Sequence, residues 1–77
     1  MEIIIKNTTK IVQLNGVPAR IWEGETSTGI PIHCFITRIA VDKNETPENI
    51  SQFESELKEV HAPINADIES YDFILII

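Results

Sequence analysis

A chain of 77 residues with a net charge of −6 and one Cys excludes several functions before any motif is read. Its hydrophobic content of 43% is that of a folded chain, and residues 1–77 are expected to form one small domain. A single Cys makes no internal disulfide, and the acidic balance gives no basic face for direct nucleic-acid binding.

The charge is unevenly placed. Up to residue 41, Lys6, Lys10, Arg20 and Arg38 face Glu2, Glu23 and Glu25; beyond it, Lys43 and Lys58 face nine acids. Acidity of this kind serves solubility first and a basic partner second. The run Ile3-Ile4-Ile5 is too short for a signal-peptide core, and no run approaches the ~18 apolar residues of a membrane span. The expected location is therefore cytoplasmic, with no membrane partner, and a lone Cys fits a reducing compartment. Asn7, Asn44 and Asn49 each open an Asn-x-Ser/Thr triplet. In a cytoplasmic chain these are turn and helix-start residues, not glycan sites.

Residues 2–6 are short and β-branched and read as a first strand, followed by a polar break at Asn7-Thr8-Thr9. Residues 11–14 and 17–22 flank Asn15-Gly16, a pair that tolerates the positive φ angles of a two-residue type I′ hairpin turn. In the outgoing strand Val17, Ala19 and Ile21 share one face, and Pro18, Arg20 and Trp22 the other. Pro18 cannot donate to a ladder, which hints at an edge. Residues 24–29 form a polar loop whose Gly-x-x-x-x-Gly outline copies the start of a phosphate-binding loop. Ile30-Pro31 then stand where Lys-Ser/Thr is required and a strand follows in place of a helix, so the loop is a turn.

Residues 30–41 read as the longest strand. Ile30, Ile32, Cys34 and Ile36 alternate on one face, and Ile39 and Val41 continue on the other parity, which predicts a bulge near Thr37-Arg38. After a loop at residues 42–45, Thr46 is a helix N-cap, Pro47 suits the first helical position and Glu48 suits the dipole. Ile50, Phe53, Leu57 and Val60 make one apolar stripe, Glu54 and Lys58 form a favourable pair one turn apart, and Ala62-Pro63 end the helix. Residues 64–70 connect to a final strand at residues 71–77. That strand is apolar on both parities, so it is expected to lie centrally in the sheet or under another subunit. The predicted class is α+β: a small antiparallel β-sheet, a meander in the order β-β-β-β-α-β, with one amphipathic helix packed on one face.

Candidate chemistry yields to plainer readings. His33 and Cys34 are adjacent, but neighbours in a strand point to opposite faces, so the imidazole does not activate the thiol. Cys34 shares its phase with Ile32 and Ile36 and reads as a small core residue. His61, at the expected helix end, suits the C-terminal dipole. Two His and one Cys so far apart match no zinc pattern, and the solvated carboxylates of the second half offer no cleft that would tune an acid–base pair. No catalytic residue, metal or cofactor is expected, and the chain reads as non-enzymatic. Arg20 and Trp22 are residue types enriched at binding hot spots. With His33 and Phe35 they mark the expected interaction surface, on the sheet face that the helix leaves bare.

In its general character, short and acidic without a catalytic motif, the chain is similar to the small reading frames of bacteria and their phages, a likeness of class that carries no residue role. The leading expectation is a protein-interaction domain that associates with itself, as a dimer. An acidic decoy that occupies the basic groove of a nucleic-acid-binding protein through Glu48, Glu56 and Glu59 is the alternative. A small-ligand site between helix and sheet comes third, because so short a chain has little volume to spare for a pocket.

Overall fold

The computed structural model describes residues 1–63. Three strands, β1 (Ile3–Leu14), β2 (Val17–Thr26) and β3 (Pro31–Ile36), precede one helix, α1 (Pro47–Leu57). The strands form one antiparallel sheet in the order β1-β2-β3. The expected connector at residues 64–70 and strand at residues 71–77 lie outside the described residues.

The turn between β1 and β2 follows from its two residues. Asn15 has φ 52° and Gly16 φ 81°, so Leu14 meets Val17 directly across the hairpin. That is the two-residue geometry that matches the strands' own twist.

Where four strands were expected before the helix, there are three, because residues 2–6 and 11–14 belong to one strand. The register passes from Asn7 opposite Trp22 to Ile11 opposite Arg20, so Thr8, Thr9 and Lys10 stand against Ile21 alone. Side chains close the gap left in the ladder. The buried Thr8 hydroxyl donates to the Ile21 carbonyl at 2.7 Å and accepts from the Lys10 amide at 3.2 Å. The Arg20 guanidinium donates to the Thr8 carbonyl at 2.8 Å. The polar triplet is thus a bulge held inside a strand, not a break between two strands.

The second turn is built around Thr26. Its amide donates to the Ile30 carbonyl at 2.9 Å, and its hydroxyl accepts from the Ile30 amide at 3.1 Å. Gly29, with φ 90°, donates to the Thr26 carbonyl. β3 then ends at Ile36. The predicted bulge at Thr37-Arg38 does not form: the change of hydrophobic parity there marks the end of the strand.

Asp42 opens the approach to the helix, its carboxylate accepting from the Asn44 amide at 2.8 Å in the local turn characteristic of Asp. The Thr46 hydroxyl then accepts from the Asn49 amide at 3.2 Å, with Pro47 at the first helical position. The start is therefore as expected, but the end is earlier. α1 stops at Leu57, Val60 lies beyond it and is exposed, and no basic residue occupies the last turn. His61 is thus not at the helix dipole. Its backbone pairs with β1 in parallel fashion, its amide donating to the Asn7 carbonyl and its carbonyl accepting from the Thr9 amide.

The two sheet faces follow from the register. Val12 opposite Ala19, and Ile21 opposite Phe35, share one face; Val12, Ala19 and Ile21 are buried there, with Leu14 and Phe35 packed against them. Lys6, Glu23 and His33 continue the same face in one row across the three strands. The other face carries Ile5, Asn7, Trp22, Cys34 and Ile36, and α1 is tied to it: the Asn7 amide group donates to the Leu57 carbonyl at 3.1 Å. None of the α1 residues is buried; Ile50, Phe53 and Leu57 are half-covered.

Candidate functional site

The four residues expected to mark one interaction surface fall on two faces. Trp22 pairs with Cys34 and Asn7, and Arg20 with Ile36 and Ile11, on the face that α1 overhangs. His33 pairs with Glu23, and Phe35 with Ile21, on the opposite face. The bare face expected to carry Arg20 and Trp22 is therefore the helix side. The physical reason is register: Trp22 lies across from Cys34, one residue away from both His33 and Phe35, and that single step changes face.

Each of the four has local work. The Arg20 guanidinium is held on the Thr8 carbonyl. Phe35 packs against the buried cluster. His33 Nε2 lies 3.7 Å from a Glu23 carboxylate oxygen, both side chains being little exposed at 12% and 13%. Trp22 is half-buried and contributes to a cleft.

That cleft is the principal concavity between sheet and helix. It has a volume of about 490 Å³ and is walled by Ile5 and Trp22 from the sheet, Phe53 and Leu57 from α1, and Ile39 from the segment between β3 and α1. Glu56, Glu59 and His61 also border it. It exists because α1 is held at its C-terminal end by Asn7 and half-covers its apolar stripe without burying it. A smaller hollow of about 150 Å³ adjoins it between Arg20, Trp22, Ile39 and Leu57. Another, of about 360 Å³, lies beside His61 and takes in Lys6, Thr8 and Glu23.

Cys34 is half-buried, less enclosed than a core residue, and burial pushes its thiol up from the ordinary range. His33 and Cys34 point to opposite faces, as strand alternation requires, and form no catalytic pair. Among the described residues, no three His, Cys, Asp or Glu side chains gather where they could hold a metal ion. No described helix is long and apolar enough to cross a membrane.

Asn7 is the structural position that the sequence conceals. Asn7 reads as the start of a loop, yet it is 6% exposed and holds the helix. Its one sequence signal is position, since it continues the alternation of Ile3 and Ile5 on one face.

Comparison of the chain with protein-family models, with curated proteins and with solved structures finds no match.

Proposed function

We propose that the protein is a small, non-enzymatic interaction domain of α+β type that associates with itself through the outer side of β1. The observation that carries this reading is the exposure of apolar side chains along that strand. Ile3, Ile4 and Ile11 are 41%, 73% and 55% exposed. Among the described residues, the outer side of β1 meets other backbone only where His61 brackets Thr8. A long outer strand with exposed isoleucines is a template for another strand. A second copy supplies one by two-fold symmetry, because residues 3–6 of each copy then meet the same residues of the other.

Sedimentation equilibrium of the wild type and of Ile4→Lys tests the reading. The wild type is expected as a dimer, and Ile4→Lys as a folded monomer with the same circular dichroism. A wild type that stays at 8.7 kDa into the high micromolar range overturns self-association. A dimer unchanged by Ile4→Lys overturns its placement on β1.

A further inference from the structure

We propose that the cleft between α1 and the sheet binds a small organic amine with an apolar tail, the tail against Trp22, Phe53 and Leu57 and the ammonium on Glu56 and Glu59. The cleft's walls are apolar and half-exposed, and its volume of about 490 Å³ admits such a molecule with room for water. An indole face in the wall attracts a cation through its ring quadrupole as well as an alkyl chain through burial.

The charges fix the sign of the ligand. Glu56 lies in the last turn of α1 and Glu59 three residues on, and both border the cleft. The Gln52 amide donates to one oxygen of Glu56 at 3.1 Å. The charged group opposing them is Lys6, which also borders the cleft. It stands opposite Glu23 in the register, however, and strand alternation directs its side chain to the face of Glu23 and His33. The net charge of −6 adds a field that draws cations and repels anions. An apolar anion of the same shape would meet two carboxylates bordering the cleft.

Trp22 is the chain's one Trp, so its fluorescence reports the cleft directly. The experiment titrates the full chain with hexylammonium, with hexanol and with hexanoate, at a protein concentration where sedimentation shows no change of assembly. Hexylammonium is expected to give a saturable change in Trp22 emission that hexanoate does not. Glu56→Gln with Glu59→Gln is expected to weaken hexylammonium about five- to tenfold and to leave hexanol unaffected. Both carboxylates are on exposed residues, and circular dichroism confirms that the double variant keeps its helix. No saturable change with hexylammonium overturns the proposal. So does equal binding of hexanol and hexylammonium, or a double variant that binds the amine as the wild type does.

Discussion

The side-chain amide of Asn7 in β1 donates to the carbonyl of Leu57, the last residue of α1, at 3.1 Å across 50 positions of sequence. A helix leaves its last carbonyls without internal partners, and here one is satisfied by the sheet. The same Asn7 accepts at its backbone carbonyl from the His61 amide. One strand residue thus fixes both the end of the helix and the return of the chain to β1. Asn7→Ala is expected to lower stability by about 1–2 kcal/mol, read as a shift in denaturant midpoint followed by Trp22 emission. Asn7→Asp, which sets a carboxylate against a carbonyl at the negative end of the helix dipole, is expected to cost more. An Asn7→Ala midpoint equal to the wild type would show that the helix is held elsewhere.

The bulge makes a second prediction. Ile21 has no register partner in β1, and the Thr8 hydroxyl takes the place of a ladder donor to its carbonyl. Thr8 is fully buried. Thr8→Val keeps the shape but leaves the Ile21 carbonyl and the Lys10 amide without that hydroxyl, at a cost of about 2–3 kcal/mol. Thr8→Ser keeps both hydrogen bonds and loses one methyl group, about 1 kcal/mol. The order of the two variants in urea denaturation is the check, and Val above Ser would contradict the role given to the hydroxyl.

These two sites also show where the sequence is readable and where it is not. Asn15-Gly16 and Thr46-Pro47 act through their own φ preferences and a bond three residues away, so local pattern suffices to place the hairpin and the helix start. The bulge depends on Thr8 reaching Ile21 and on Arg20 reaching back to Thr8. No window of neighbouring residues contains those contacts, and Asn-Thr-Thr therefore reads as a loop. The same holds for the faces. Alternation correctly groups Ala19 with Ile21, and Arg20 with Trp22. Which group the helix overhangs is decided by the hydrogen bond of Asn7 with Leu57, far apart in the chain.

Gly24 supplies a third prediction. A β-carbon there would overlap the Ile4 carbonyl and come within 2.8 Å of the Ile5 Cα. Both are backbone atoms of the neighbouring strand, with no flexible side-chain end to give way. Gly24→Ala is expected to cost about 3 kcal/mol or more, which a domain of this size tolerates poorly. Gly16 and Gly29 have positive φ but open space around them. Their Ala variants carry only the conformational penalty of about 1 kcal/mol. Thermal unfolding of the three variants should separate Gly24→Ala clearly from the other two; three equal losses would mean that the strands part easily at Gly24.

Cys34 gives the pH dependence. Its thiol is pushed up by desolvation, so the folded state favours the neutral form more than the unfolded chain does. That contribution to stability is fully present below the ordinary thiol range and is lost as pH rises through the folded-state value. The stability of the wild type relative to Cys34→Ser should therefore decline as the solution becomes alkaline, measured as the gap between their denaturant midpoints at a series of pH values. The same displacement lowers the thiolate fraction, and the thiolate is the nucleophile. Iodoacetamide should accordingly modify the folded protein more slowly than the chain in denaturant at equal pH. A constant gap between the midpoints, with equal alkylation rates, would show that the thiol meets the same surroundings in both states.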